Sequence, residues 1–130
     1  MKFLVVDDDH ISQFLLAKSV QKAGHEAVCV GDGQKALEAL KNAPFDVVLM
    51  DIELPVMDGV QATMAIRNGK VGQDKRNIPI IAVTAYAMPG DREKFIAAGM
   101  NHYLSKPVDE FEFAKALAIA RQLVAICRPS

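Results

Sequence analysis

The chain lacks the features that mark several large classes of protein. Its 130 residues include two cysteines and no tryptophan, which is too little cysteine for a disulfide framework or a cysteine-based zinc site. Its 15 basic and 16 acidic side chains give a formal net charge of -1, so it has no basic surplus of the kind that nucleic-acid-binding domains show. No apolar run approaches the ~20 residues that span a bilayer, and no cleavage site for a signal peptide follows the N-terminal apolar run. We therefore expect a cytoplasmic protein that binds neither nucleic acid nor membranes directly.

The composition is that of a packed globular domain. Hydrophobic residues make up 51% of the chain and charged residues 24%, which excludes a disordered chain. A domain usually takes about 100–150 residues, so residues 1–130 are expected to form a single domain. Cys29 lies in an apolar run and Cys127 near the C-terminus, and we expect both to be small, buried or half-buried hydrophobic residues.

Short apolar runs alternate with segments of helical pattern along the whole chain. This alternation predicts an α/β fold in which a parallel sheet is covered by helices on both faces. Continuous apolar runs such as VVLM and IIAV are typical of parallel strands buried on both sides. The predicted strands are 3–6, 26–30, 46–50, 79–83 and 102–104, and the predicted helices are 10–23, 34–42, 59–67, 89–98 and 109–126.

Several residues at the ends of these segments have the chemistry of helix termini and turns. Asp9 and Asp32 precede helical segments; Asp32 is expected to cap the second helix, and Asp9 to be either the cap of the first helix or a surface acid. Asp58 stands before a glycine, a pair that favours a tight turn. Pro89 suits the first turn of the fourth helix, and Gly99 suits the position that follows its last turn.

Polar side chains with complementary chemistry follow four of the five predicted strands. Asp7 and Asp8 come after the first strand, Asp51 after the third, Thr84 after the fourth and Lys106 after the fifth. Ligands of open parallel sheets bind in the crevice beyond the carboxyl ends of the strands. We therefore expect three carboxylates, a hydroxyl and an ammonium group to converge at one edge of the sheet.

Three carboxylates at such close range repel one another and need a compensating cation. Mg²⁺ suits the site because it is commonly held by one or two carboxylates, a phosphate oxygen and water. A carboxylate beside the metal can act as a nucleophile and form an aspartyl phosphate. Mg²⁺, Lys106 and Thr84 would then share the neutralisation of the phosphoryl oxygens. Asp51 is the best candidate for the nucleophile because it follows the predicted central strand.

Four segments occur in a characteristic order and spacing: FLVVDDD at 3–9, VVLMDIELPVMDG at 47–59, IIAVTAYAM at 80–88 and YLSKP at 103–107. Together they resemble the receiver domain of response regulators in two-component signalling, also called the CheY-like family. The resemblance covers nearly all of the chain. It implies a single doubly wound (βα)5 domain of the flavodoxin-like type, with the strand order 2-1-3-4-5 and helices on both faces.

The resemblance implies a phosphoacceptor and a Mg²⁺ site. It makes Asp51 the phosphoacceptor, and it makes Asp8 and Asp51 direct Mg²⁺ ligands together with the backbone carbonyl of Glu53. Asp7 would act on the metal through water. The side chains of Glu53 and Tyr86 would border the phosphoryl group and influence its hydrolysis.

The same resemblance implies a switch that reads the phosphoryl group. Lys106 would contact that group, and Thr84 would move toward it on activation. Tyr103 occupies the place of the aromatic residue that swings inward when Thr84 moves. The Lys106–Pro107 bond matches a cis peptide of the family.

The implied function is a phosphorylation-activated switch that catalyses only its own phosphorylation and dephosphorylation. A histidine kinase or histidine phosphotransfer protein would donate the phosphoryl group, and we expect it to dock near Phe14 on the first helix. The face formed by helix 4, strand 5 and helix 5 would change shape for a partner. Some stretches resemble the receivers of hybrid sensor kinases, so a stand-alone receiver and an excised domain both remain open, and no output domain is present within residues 1–130.

The last predicted helix carries two apolar stripes. One stripe is expected to face the sheet and the other to face outward, where it offers a contact surface for a partner or for a second copy of the chain. The inward stripe comprises Phe113, Leu117, Ala120 and Val124, and the outward stripe comprises Phe111, Ile119 and Ile126.

Two other functions remain as alternatives. A phosphate-independent interaction module is disfavoured because the acidic, threonine and lysine positions are all intact. An aspartate-nucleophile phosphatase of the haloacid dehalogenase type is disfavoured because the first strand ends in adjacent acids, and because the chain has no insertion large enough for a cap. The cognate kinase and the downstream target are left open by the sequence.

Overall fold

Five parallel strands form one sheet in the order β2-β1-β3-β4-β5 in the computed structural model, which describes residues 1–85 and 88–127 apart from the side chain of Cys127. The predicted α/β fold and strand order are thereby confirmed. The strands are β1 (Lys2–Val6), β2 (Glu26–Val30), β3 (Val47–Asp51), β4 (Ile80–Thr84) and β5 (His102–Ser105). The α-helices are α1 (His10–Lys22), α2 (Gly33–Asn42), α3 (Gly59–Arg67), α4 (Asp91–Ala98) and α5 (Glu110–Cys127), with a 3-10 helix at Gln73–Lys75.

Successive residues of the central strands pack against helices on opposite faces of the sheet. Val5 and Leu49 lie on the face that α1 and α5 cover. Leu4 and Met50 lie on the face that α2, α3 and α4 cover. Because both faces are buried, the strands need apolar residues at every position, which explains the continuous apolar runs of the sequence.

The register of the strands brings their carboxyl ends to one level. Asp51 at the end of β3 is paired with Val83 on β4. Thr84 at the end of β4 is paired with Ser105 at the end of β5. Residues that follow these strands therefore meet at one edge of the sheet, and the packed core beneath them fixes their positions.

Aspartates at the ends of three loops start the first three helices. The side chains of Asp9 and Asp32 accept hydrogen bonds from backbone amides in the first turns of α1 and α2, which confirms the cap predicted at Asp32 and shows that Asp9 caps α1. Asp58 does the same for α3, and its own backbone amide donates a hydrogen bond to the side-chain oxygen of Gln61. Each such cap contributes about 1 kcal/mol to stability.

The start of α4 differs from the sequence prediction. Pro89 was expected in the first turn, but the helix begins at Asp91. The backbone amide of Met88 donates to the Asp91 carboxylate over 2.7 Å, and the amide of Asp91 donates to the Met88 carbonyl over 3.0 Å. These bonds close a turn ahead of the helix, in which Gly90 takes a left-handed conformation with φ of 92°.

The prediction for Cys29 was wrong, since its side chain is exposed. The cause is the position of β2, which pairs only with β1 and forms one edge of the sheet. An apolar run in an edge strand does not require burial on both faces. The side chain of Cys127 lies outside the described residues.

The two stripes of α5 are confirmed except at one residue. Phe111 and Ile126 are 68% and 79% exposed, whereas Ile119 is half-buried. The inward stripe packs on the sheet as expected, through the buried Phe113, Leu117 and Ala120 and the partly buried Val124. No helix within residues 1–85 and 88–127 is both long and apolar enough to cross a membrane.

Arg67 organises the segment between α3 and β4, where the sequence predicts only a loop. Its guanidinium donates to the carbonyls of Arg76 and Ile78 over 2.7 and 2.6 Å, and to the carbonyl of Gly99 over 2.9 Å. These bonds hold the 3-10 helix against the end of α3 and the turn before β5.

Replacing Thr63 with valine is expected to stabilise the domain. Thr63 is fully buried in α3, and among the described residues its hydroxyl has no hydrogen-bond partner. A buried hydroxyl without a partner loses its hydration without compensation, so Thr63→Val should raise the free energy of unfolding by about 1 kcal/mol. Urea denaturation measures the change. Thr63→Ala controls for loss of volume and should be less stable than the valine variant, and a valine variant less stable than wild type would contradict the interpretation.

Candidate functional site

Three carboxylates meet where β1 and β3 end. Asp7 directly follows β1 and is fully buried, Asp8 is exposed, and Asp51 is the last residue of β3 with 6% of its surface exposed. One carboxylate oxygen from each residue lies within 4.8 Å of those of the other two. Since β1 and β3 are neighbours at the centre of the sheet, the strand order itself produces this cluster.

Lys106 supplies the positive charge next to the cluster. Its ammonium nitrogen lies 2.6 Å from Oδ2 of Asp7 and 3.2 Å from Oδ2 of Asp51. The backbone amide of Lys106 donates to the carbonyl of Thr84 over 2.8 Å, which fixes the lysine just beyond β5. One side chain from the edge of the sheet thereby bridges both buried carboxylates.

The remaining oxygens of the two buried carboxylates accept hydrogen bonds from the backbone. The amide of Asp9 donates to Oδ1 of Asp7 over 2.9 Å. The amide of Glu53 donates to Oδ1 of Asp51 over 3.2 Å. The orientation of each carboxylate is therefore set by one backbone amide and one ammonium group.

Lys106 balances only part of the negative charge of the three carboxylates. Burial raises the pKa of Asp51, Lys106 acts in the opposite direction, and the charge of Asp7 raises the pKa further. Burial by itself would lower the pKa of Lys106, but its hydrogen bond to Asp7 and the charges of Asp51 and Asp7 raise it overall. Three carboxylates and one ammonium group leave two negative charges without a partner when all are ionised.

The donor set fits a hard divalent cation. Carboxylate oxygens are the protein ligands that Mg²⁺ prefers, and it commonly keeps several water molecules. The exposed Asp8 leaves one side of the cluster open to such water. Asp8 and Asp51 are the residues that would hold the ion, with Asp7 behind them.

Comparisons with known proteins agree with this geometry. The family model for the response regulator receiver domain matches residues 3–118. The chain belongs to the response regulator receiver domain family. It is 37% identical over 116 residues to the sensor protein GacS of Pseudomonas syringae, a match that covers 89% of this chain and 13% of GacS. The chain thus spans about an eighth of the length of that relative.

Solved receiver structures are similar over nearly the whole chain. The receiver domain of sensor histidine kinase PA1611 from Pseudomonas aeruginosa has a TM-score of 0.80 and 35% identity, covering 95% of this chain and 97% of that one. That crystal structure has a magnesium ion coordinated in its active-site cleft. Chemotaxis protein CheY4 of Vibrio cholerae has a TM-score of 0.80 and 30% identity, covering 90% of this chain and 95% of that one.

The other predicted residues lie at different positions along the chain and in the fold relative to the acidic cluster. Thr84 is buried at the end of β4, at the edge where Lys106 lies. Tyr103 on β5 is half-buried and packs edge-on against Phe95 of α4, with ring centroids 6.3 Å apart. Glu53 follows Asp51 closely and its side chain is exposed. Tyr86 lies outside the described residues, and the Lys106–Pro107 bond is cis as expected.

Gln13 is a residue of the site that the sequence analysis missed. Its side-chain amide donates to the carbonyl of Asp7 over 2.5 Å and to the carbonyl of Val30 over 3.2 Å. It therefore ties the backbone that carries Asp7 to the end of β2. The sequence did carry a signal for this role, because Gln13 is an amide residue in the first turns of a helix that starts just after a strand.

The loop between Asp51 and α3 is held close to the sheet. The amide of Gly59 donates to the carbonyl of Ile52 over 3.0 Å. A Cβ atom at Gly59 would collide with the carbonyl of Asp51, and one at Gly33 would collide with the carbonyl of Met57. Both positions therefore require glycine because backbone passes directly over them.

Val56 at the centre of this loop has a strained conformation. Its φ is 68°, and the amide of Met57 donates to the carbonyl of Pro55 over 2.7 Å across it. A three-residue turn with positive φ at its centre is rare and strained, and β-branched residues are unfavourable in this region. Val56 is the one non-glycine residue with positive φ among residues 1–85 and 88–127.

Relieving this strain is expected to stabilise the domain. Asparagine tolerates the left-handed region much better than valine does, so Val56→Asn should raise the free energy of unfolding by about 1 kcal/mol. Chemical denaturation followed by circular dichroism measures it. Val56→Ala keeps a Cβ atom but cannot hydrogen-bond to the backbone, and it should gain less. An asparagine variant no more stable than the alanine variant would argue against strain at this position.

Proposed function

We propose that this receiver domain is a phosphorylation-activated switch whose phosphoacceptor is Asp51. The observation that carries the proposal is the Asp51 carboxylate, which lies between the acidic pair of β1 and the ammonium group of Lys106. The domain acts on no substrate beyond its own aspartate: it takes up a phosphoryl group and later loses it to water.

Phosphoryl transfer to Asp51 balances without a further reactant. A carboxylate oxygen of Asp51 attacks phosphorus, and the phosphorus–nitrogen bond of a phosphohistidine breaks. The electron pair of that bond stays on the imidazole nitrogen, and the ring leaves neutral with a proton on its other nitrogen. Lys106 holds positive charge beside the incoming oxygens, which stabilises the transferring group.

The acidic residues prepare this reaction by binding Mg²⁺. Asp8 and Asp51 would bind the ion directly together with the Glu53 carbonyl, and Asp7 would act on it through water. When bound, Mg²⁺ neutralises phosphoryl oxygens during the transfer. The two negative charges that Lys106 leaves without a partner support this assignment, because a divalent cation balances them.

The new phosphoryl group changes the charge at the edge of the sheet. A phosphoryl group carries more negative charge than the carboxylate that it modifies. Thr84 and Lys106 move toward it, and Tyr103 follows inward. The face formed by α4, β5 and α5 then changes shape for a protein partner, which is a local electrostatic event with a distant effect.

A histidine kinase or histidine phosphotransfer protein is the proposed donor. Ile11, Phe14 and Leu15 on α1 are all exposed, and α1 begins directly beside the acidic cluster. A groove of about 510 Å³ runs between α1 and the segment after β5, and Lys106 contributes to its lining. An apolar groove that reaches Lys106, whose ammonium group contacts Asp51, suits a helical protein presenting a phosphohistidine. We place this exchange in the cytoplasm.

The decisive experiment is the intact mass of the chain after incubation with Mg²⁺ and acetyl phosphate. We expect one phosphoryl increment in the wild-type chain, because Asp51 is the carboxylate next to both Lys106 and the metal ligands. Chelation of Mg²⁺ should abolish the increment. Asp51→Asn is the matched control and should remain unmodified.

Two results of this experiment would contradict the proposal that Asp51 is the phosphoacceptor of a switch. An increment that persists in Asp51→Asn would move the acceptor to another residue. A chain that neither gains mass nor changes its Tm on addition of Mg²⁺ would be a phosphate-independent interaction module, because ligand binding to the folded state alone must raise Tm.

A second copy of the chain is the proposed partner for the outer face of α5. Phe111 and Ile126 are large, apolar and exposed there, and burying them in a dimer would remove that surface from water. We expect sedimentation equilibrium to show dimers after phosphorylation, and we expect Phe111→Ser to weaken them. Monomers in both states would eliminate the dimer and leave this face for a different protein.

A further inference from the structure

Val56 combines two unfavourable properties at one position in the loop that follows the phosphoacceptor. Its backbone is strained, with φ of 68° across a three-residue turn, and its apolar side chain is 84% exposed. Neither property supports folding, since an exposed valine contributes no burial and a strained one costs free energy. Outliers of this kind concentrate at functional sites.

The loop around Val56 is fixed rather than free to relax. Close backbone approach at Gly33 and Gly59 holds the two ends of the loop against α2 and against Asp51. The neighbouring Leu54 and Met57 pack on the core beneath α2 and α3. The turn therefore projects the valine side chain outward from a rigid base.

Val56 and the exposed face of α1 lie on opposite sides of the phosphoacceptor. The loop of Val56 leads to α3, on the face of the sheet that α2, α3 and α4 cover. Phe14 belongs to α1, on the other face. Between them lies Asp51, with only 6% of its surface exposed. The loop that carries Val56 and the helix that carries Phe14 thus leave the sheet on opposite sides of the recessed carboxylate.

We propose that Val56 is a specificity-determining contact for the protein that donates the phosphoryl group to Asp51. The inference rests on the proposed function. A protein that brings a phosphohistidine to a recessed carboxylate must cover the opening, and it then meets Val56 opposite α1. Burial of the valine against an apolar patch of the donor strengthens the complex and excludes water from the transfer.

A small-molecule phosphoryl donor does not need to cover the site in order to reach Asp51. A molecule the size of acetyl phosphate reaches Asp51 through the opening without covering it, and its reaction depends on the carboxylates and Lys106. Val56 should therefore influence transfer from a protein far more than transfer from a small molecule. This difference separates a docking contact from a part of the chemical site.

The test compares two donors on the same variants. The histidine kinases and phosphotransfer proteins of the source organism are phosphorylated and screened against the wild-type chain, and the fastest donor is kept. We expect Val56→Asn to slow transfer from this protein about tenfold, as loss of one buried valine side chain would. Transfer from acetyl phosphate should stay within twofold of wild type.

Two further variants test whether the slower transfer comes from loss of the valine side chain. One keeps the strained backbone at Val56, and the other removes an exposed apolar side chain elsewhere on the surface. Val56→Thr keeps the shape and the strained backbone but introduces a hydroxyl, and it should also slow the protein donor. Met64→Asn is the matched control, because Met64 is an exposed apolar residue on α3, 50% accessible, and has no part in the proposed site or dimer. It should leave transfer from the protein donor unchanged.

Each other outcome overturns the inference in a recognisable way. Equal slowing with both donors would make Val56 part of the chemical site or of its folding. Unchanged transfer from the protein donor would show that the valine makes no contact. Faster hydrolysis of the phosphorylated chain in Val56→Asn, with unchanged transfer, would assign Val56 to shielding the acyl phosphate from water instead. If no protein donor transfers but acetyl phosphate does, the protein-donor proposal fails while Asp51 remains the acceptor.

Discussion

The contact of the Lys106 ammonium group with Asp7 and Asp51, at 2.6 and 3.2 Å, is the interaction on which the rest of the site depends. Two carboxylates buried so close together cannot both ionise without a compensating cation. Removing one member of a buried ion pair is costly because it leaves the other charge buried and unpaired. Lys106 therefore allows Asp51 to exist as the anion that both metal binding and nucleophilic attack require.

The strand order and the register of the sheet allow Lys106 to contact Asp7 and Asp51. β1 and β3 must be neighbours for Asp7 and Asp51 to approach each other, and β5 must end at the same level for Lys106 to reach both. The parallel arrangement places all these ends at one edge, and helices on both faces keep that edge rigid.

The fold and the acidic cluster were predictable because the apolar runs mark the buried strands and charged residues follow directly at the strand ends. Charged residues that follow buried strands have only the edge of the sheet to occupy, so Asp7, Asp51 and Lys106 had to converge. The exposure of Cys29 was not predictable from its apolar run, because the strand order decides which strand lies at the edge. The left-handed Val56 was equally inaccessible, since valine disfavours that conformation and only closure of the loop imposes it. Sequence rules fail here where tertiary contacts override local preference.

The uncompensated charge at the cluster sets the scale of the proposed switch. Two unit charges 4 Å apart interact by on the order of 4 kcal/mol at an effective dielectric constant of ~20. One additional negative charge on Asp51, so close to Lys106, changes the local free energy by a comparable amount. Inverting a two-state equilibrium from 1:99 to 99:1 takes roughly 5.5 kcal/mol. The charge acting on Lys106 alone therefore falls short of a full inversion, and contacts made only in the phosphorylated state, such as one with the buried Thr84, would have to supply the remaining free energy.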